Sequence, residues 1–85
     1  MAKNYFNRYI WLLDTIQKHR YITLSDLSEL WEHSALNGDK HEPLRERTFH
    51  NHRAAILDIF GIDIRFNKSR GYYIHNDDLN EYKYL

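Results

Sequence analysis

Pro43-Leu44-Arg45-Glu46-Arg47-Thr48-Phe49-His50-Asn51-His52-Arg53-Ala54-Ala55-Ile56-Leu57-Asp58-Ile59-Phe60-Gly61 is the stretch from which the rest of the chain is read. Wound at about 100° per residue, it puts Phe49, Ile56, Ile59 and Phe60 on one side of a helix. The opposite side carries Arg47, His50, Asn51, Ala54 and Asp58, so its N-terminal turns are polar and rich in hydrogen-bonding groups. Ala54 is the smallest side chain there and leaves room for close approach of another molecule. Gly61 follows the last apolar residue, where glycine best allows a left-handed helix end, and Ile62 is placed to pack back on Leu57. A helix anchored by one side and offering donors from the other is what reading a major groove requires. Any surface helix also has a polar face, so the neighbouring segments have to decide between the two.

The 85 residues make one domain with a modest core, since a chain of this length buries only about 60–65% of its unfolded surface. Seven Tyr, four Phe and two Trp supply large apolar area per residue. The absence of Cys excludes disulfides, thiol nucleophiles and cysteine-ligated zinc, and fits a reducing compartment. Met1-Ala2-Lys3-Asn4-Tyr5 has no apolar signal region, and no run approaches membrane-spanning length. A cytoplasmic protein with no membrane partner is expected.

Formal net charge is zero, but the charges are segregated along the chain. Residues 1–22 carry Lys3, Arg8, Lys18 and Arg20 against Asp14, and residues 24–42 carry Asp26, Glu29, Glu32, Asp39 and Glu42 against Lys40. Arg45, Arg47 and Arg53 oppose Glu46, and Arg65, Lys68 and Arg70 form a further basic group. Such separation is expected where one face meets phosphate and another does not.

Residues 4–20 read as a first helix, with Phe6, Tyr9, Ile10, Leu13 and Ile16 at helical spacing and Tyr5, Trp11 and Leu12 off that stripe as a second apolar surface. Tyr21-Ile22 has room only for a bridge of strand. Thr23-Leu24-Ser25-Asp26 has the form of a capping box, and Ile22 with Leu27 that of a hydrophobic staple, so a second helix starts at Leu24. Leu24, Leu27, Leu30 and Trp31 give it a core stripe. Residues 36–43 read as a loop and the third helix covers about 44–60. Ile62-Asp63-Ile64-Arg65-Phe66-Asn67 alternates with period two, Lys68-Ser69-Arg70-Gly71 turns, and Tyr72-Tyr73-Ile74-His75 returns. Helix, bridge, helix, helix and hairpin make a winged helix-turn-helix over residues 1–75: mainly α, with a two-stranded wing at 66–72.

With that order in place, the chain resembles the N-terminal DNA-binding domain of WYL-domain bacterial transcriptional regulators, close to the DeoR-like winged helices. Arg47-Thr48-Phe49 and Phe60-Gly61-Ile62-Asp63-Ile64 leading to Gly71-Tyr72 carry the resemblance, and Phe6-Asn7-Arg8-Tyr9-Ile10-Trp11-Leu12 with Thr48–Arg53 is similar to Bacteroides-type members. The chain departs from that pattern in its longer 36–43 loop, in Arg45 where a capping Ser is usual, and in Asn51, His52 and Arg53. The resemblance implies sequence-specific binding of double-stranded DNA, a homodimeric full-length regulator, and residues 76–85 as the start of a linker to a C-terminal WYL-type domain. A lone copy is expected to bind weakly, with tight binding requiring two.

The candidate DNA-binding residues are Arg45, Arg47, Thr48, His50, Asn51 and Arg53 on the third helix, with Lys68 and Arg70 on the wing. His50 and His52 point about 200° apart on a helix, which argues against a shared metal ion. No glycine-rich phosphate loop or convincing carboxylate pair is present, so neither a cofactor nor an enzyme is expected. The alternative is a winged helix used for protein contact or dimerisation, supported by the neutral total charge and by Tyr5, Trp11, Tyr82 and Tyr84.

Overall fold

The computed structural model describes residues 5–37 and 42–75, and among these the chain forms three helices and one antiparallel hairpin. Helix α1 spans Phe6–His19, α2 Leu24–Glu32 and α3 Glu46–Phe60, followed by strands β1 (Ile64–Asn67) and β2 (Gly71–Ile74). This arrangement, mainly helical with a two-stranded sheet, is compatible with a winged helix-turn-helix.

The helix ends have local causes. Thr23 sits in extended backbone before α2 and its hydroxyl accepts a hydrogen bond from the Asp26 amide at 3.1 Å, satisfying one of the free donors of the first turn. Ile22 and Leu27, on either side of that cap, are both buried. Gly61 ends α3 in the left-handed region (φ 69°, ψ 16°), and its amide bonds the Leu57 carbonyl at 2.9 Å. Helix α1 ends differently. Arg20 adopts φ 63°, ψ −54°, and the Tyr21 amide reaches the His19 carbonyl at 2.7 Å, which is the strained γ-turn that non-glycine residues seldom adopt.

The core is built around Leu12, Ile16, Leu27, Phe49, Ile56, Ile62 and Ile64, the largest side chains that are fully enclosed. On α1 the buried arc is wider than one stripe and is rotated towards Leu12: Leu12, Leu13, Thr15 and Ile16 are buried, while Phe6 stays half-exposed against Phe60. The cause is that α1 has neighbours on two sides. Tyr5 and Tyr9 meet His52 of α3, and Trp11 meets Trp31 of α2 edge-on at 5.1 Å between ring centres. Tyr5 and Leu12 of the expected second apolar surface are thus packed within the domain, and Trp11 is packed on its Trp31 side.

Two further expectations from periodicity are corrected. Ile59 faces outward, 55% exposed, and His52 takes its place in the buried side of α3. Relative to Phe49, His52 lies about 60° round the helix and Ile59 about 80°, so the core edge passes between them. Leu30 is likewise outside, and Leu27 with Trp31 carries the buried side of α2.

The hairpin pairs Ile64 with Ile74, Arg65 with Tyr73, Phe66 with Tyr72 and Asn67 with Gly71. This register leaves Ile62 and Asp63 before the strand and brings Gly71 into it. The Asn67 side chain accepts from the amides of Ser69 at 2.8 Å and Arg70 at 3.0 Å, which builds the turn locally. The anticipated single bridge of strand forms between Ile22 and Tyr72, whose amides and carbonyls exchange hydrogen bonds of 3.0 and 2.7 Å. Gly71 makes this approach possible. Its φ is +103°, and a Cβ there would lie 2.4 Å from the Ile22 carbonyl oxygen and 2.8 Å from the Thr23 nitrogen. Gly71→Ala is therefore expected to cost more than about 2 kcal/mol of stability, combining backbone strain with a backbone collision. Urea denaturation checks this, and an unchanged midpoint would mean that the wing is not held against residue 22.

Candidate nucleic-acid interface

Helix α3 is fixed from beneath and on both flanks. Phe49 is completely buried and meets the Tyr72 ring edge-on at 4.7 Å, which seats the helix on β2. His52 is held on the α1 side between Tyr5 and Tyr9, with ring centres 4.9 and 5.3 Å away. On the wing side Arg53 spans the gap: its Nε donates to the Ile64 carbonyl at 3.1 Å and Nη2 donates to the same oxygen. Its guanidinium lies over the Tyr72 ring at 5.0 Å.

The third arm of Arg53 orients His50. A guanidinium only donates, so the 3.1 Å contact between Arg53 Nη1 and His50 Nδ1 makes that ring nitrogen the acceptor. The imidazole proton then resides on Nε2, which faces the Glu46 carboxylate at 3.8 Å. His50 is thereby half-buried beside the wing and held through Nδ1, with Nε2 facing Glu46 beyond hydrogen-bond distance.

The remaining candidates on α3 are differently placed. Arg45, Arg47 and Asn51 are exposed, Thr48 is half-buried, and none of the four has a hydrogen-bond or ion-pair partner for its side chain among the described residues. Arg45 occupies the N-cap position in extended backbone (φ −73°, ψ 150°) and supplies no side-chain cap, so its head group is available to something else. Ala54 and Asp58 complete the exposed face, with Leu57 and Ile59 beyond them. On the wing, Lys68 is exposed and without a partner among the described residues, while the exposed Arg70 rests over the Tyr21 ring at 5.1 Å. Tyr21 in turn meets Tyr73 at 5.2 Å.

Helix and wing adjoin through His50 and Tyr72, whose rings are 6.2 Å apart, and Phe66 extends the contact outward from Tyr72 at 4.9 Å. Tyr72 and Phe66 are absent from the candidates drawn from sequence. The period-two alternation already put Phe66 on the face of Ile62 and Ile64, but only the register shows that this face meets α3 at one end and stays open at the other.

The longer 36–43 connection is closed at its base. Asn37 is buried, donates from Nδ2 to the carbonyls of Trp31 (3.2 Å) and Glu42 (2.9 Å), and accepts from the Glu42 amide at 3.1 Å. The Glu42 carboxylate pairs with Arg8 at 3.2 Å, and the Arg8 guanidinium lies 5.1 Å from the rings of both Tyr5 and Trp31. The extra residues between α2 and α3 therefore leave the α3 N-terminus anchored to α1.

The aromatics offered for protein contact fare unevenly. Tyr5 and Trp11 are engaged internally, while Tyr82 and Tyr84, like the whole of 76–85, lie outside the described residues. An open recess of about 430 Å³ does lie on the outer side of α1, lined by residues including Asn7, Ile10, Trp11, Gln17 and Leu36. Among the described residues no cluster of His, Asp or Glu is placed to hold a metal ion, and no helix is long and apolar enough to cross a membrane. No protein-family model, curated protein or solved structure matches the chain.

His52 gives the interface a pH-sensitive support. It is 3% exposed and its Nε2 is buried without a hydrogen-bond partner among the described residues. Burial, and then the nearby Arg8 cation, hold its imidazole below the ordinary value. A base with a lowered folded pKa binds fewer protons folded than unfolded once pH drops below about 6.5, so its contribution is intact above that pH and is lost progressively below it. Unfolding free energy measured at pH 7.5 and pH 5 should fall on acidification, and by less in His52→Leu. Equal acid sensitivity in the two proteins would exclude His52 as the cause.

Proposed function

We propose that the chain is the sequence-specific DNA-binding domain of a cytoplasmic bacterial transcriptional regulator of the WYL-domain, DeoR-like kind. In this reading the N-terminal half of α3 enters the major groove and the wing lies on the backbone of the double helix. The observation that carries it is the state of the exposed face of α3. Arg47 and Asn51 have side chains unpaired among the described residues, share the exposed face with the small Ala54, and belong to a helix whose other sides are locked to α1 and the wing, with the unpaired Arg45 at its N-cap. Donors on a rigid helix can read base edges: Arg pairs with guanine and Asn with adenine, each worth about 1–3 kcal/mol of discrimination. Thr48, in the first turn, is placed for phosphate.

The contact set differs from the one drawn from sequence in two members. Arg53 is withdrawn, because the Ile64 carbonyl and His50 take three of its five N–H donors and hold its guanidinium over Tyr72. His50 becomes a positioning residue, held through Nδ1 by Arg53, with its Nε2 proton 3.8 Å from Glu46 and in no hydrogen bond among the described residues. Arg45, Arg47, Thr48 and Asn51 at α3, with Lys68 and Arg70 on the wing, remain the contacts.

One observation favours a second reading, docking of another protein or a second copy on the recess of α1 beside Leu36. Salt separates the two, since phosphate contacts release counterions and give a steep fall of log affinity with log salt. Anisotropy titrations of a labelled duplex should show that dependence. Neutralising Lys68 and Arg70 together should weaken binding to every sequence and reduce the slope by about one to two. Asn51→Ala should instead relax preference at one base position and leave nonspecific binding nearly intact. A parent protein that fails to bind duplex at low salt would remove DNA in favour of the α1 recess.

A further inference from the structure

We propose that Phe66 is an apolar contact to double-stranded DNA, its ring packing on deoxyribose and base edges between the phosphates met by Lys68 of the wing and the arginines of α3. This rests on the DNA-binding reading above and adds to it a component of affinity that is not electrostatic.

Phe66 is 57% exposed, the highest value among the large apolar side chains of the described residues. Leaving a phenyl ring in water forgoes the gain of burying it, so the position invites an explanation. The ring is nevertheless held in place. It meets Tyr72 at 4.9 Å, Tyr72 meets the fully buried Phe49 at 4.7 Å, and the three rings form a continuous column from core to surface. Its strand is paired on one side by β2, and the adjoining turn is fixed by the Asn67 side chain. A ring mounted this way loses little conformational freedom on binding.

Its position and surroundings select the partner. Phe66 lies on the hairpin face that carries Tyr72, whose ring adjoins His50, so the phenyl extends the exposed surface of α3 instead of facing away from it. Lys68, exposed in the adjoining turn, has no partner among the described residues, whereas Arg65 alternates onto the other face of the hairpin with Tyr73 and Arg70 rests over Tyr21 on that side. On α3, the exposed Arg47 stands one turn before His50, whose ring adjoins Tyr72. An apolar ring with an unpaired lysine in its adjoining turn and an unpaired arginine on the neighbouring helix complements a polyanion whose sugars and base edges lie between its charges. Exposed phenyl rings that contact or wedge against DNA make use of the same chemistry. An apolar protein surface would complement the ring but not the cations.

The two kinds of contact differ in their salt signature. Loss of a cation changes the slope of log affinity against log salt, whereas loss of an apolar contact shifts the whole line and leaves its slope alone. The test is anisotropy titration of a labelled mixed-sequence duplex from about 50 to 200 mM salt with the parent chain, Phe66→Ala, Phe66→Gln and Phe66→Leu. The Ala and Gln variants are expected to bind about ten-fold more weakly at every salt concentration, with the parental slope. The Leu variant, still apolar, should recover most of the loss. Thermal melts of all four establish that each is folded, and the Gln and Leu pair decides the matter if Ala is not. Parental affinity in both Ala and Gln variants, with duplex binding intact, overturns the role of Phe66 alone. Absence of duplex binding by the parent overturns the DNA reading and this inference together. Sedimentation provides the remaining arm: concentration-dependent self-association of the parent that disappears in Phe66→Gln, with DNA affinity unchanged, would assign the ring to a second copy instead.

Discussion

The pair of backbone hydrogen bonds between Ile22 and Tyr72 is the constraint on which the layout of this domain depends. It ties the hairpin to the short link between α1 and α2, and it sets Tyr72 at one position relative to everything else. From there the Tyr72 ring reaches Phe49 on α3, Phe66 on the neighbouring strand and the Arg53 guanidinium. The bridge exists because residue 71 has no Cβ and accepts a positive φ, so a single glycine determines whether the wing can sit beside α3. Two backbone hydrogen bonds are individually worth little net free energy. Their importance lies in geometry, because the wing has no other regular pairing with the helical part among the described residues.

Arg53 supplies the second tie, and it shows how electrostatics can be structural on a surface rich in charge. A bulky side chain of either sign on the wing side of α3 would be expected in water. This one instead caps the Ile64 carbonyl, orients His50 and covers Tyr72. By contrast, Arg45 and Arg47 remain unpaired among the described residues, and the acidic residues Asp26 and Glu29 project from α2. Charge in this domain of zero formal total is thus unevenly divided, with unpaired arginines at the start of α3 and exposed carboxylates on α2.

Local chemistry was legible in the amino-acid sequence wherever a few adjacent residues decide the outcome. Thr23 with Asp26, Gly61 after Phe60, and the alternation through Ile64 and Phe66 each became the cap, helix end or strand they indicated. Periodicity failed where a helix has more than one neighbour. The arc on α1 moved to Leu12 because α3 and α2 press on different sides of it, and His52 displaced Ile59 because Tyr9 of α1 and Tyr5 at its N-cap pack against it. The candidate site was readable in its exposed members, Arg47 and Asn51, since a polar residue opposite a core stripe has nowhere else to go. Arg53 was not, because its partner carbonyl stands eleven residues further along and becomes adjacent only when the hairpin folds back. Phe66 was hidden for the same reason, its exposure depending on where the register ends.

The most direct test of a nucleic-acid face on this domain is an amide chemical-shift titration of the intact chain with duplex DNA. Perturbations should concentrate at residues 45–51 of the α3 N-terminal half and at residues 66–70 of the wing, leaving the α1 recess around Asn7, Gln17 and Leu36 quiet. Shifts confined to that recess, or no shifts at all at low salt, would contradict it.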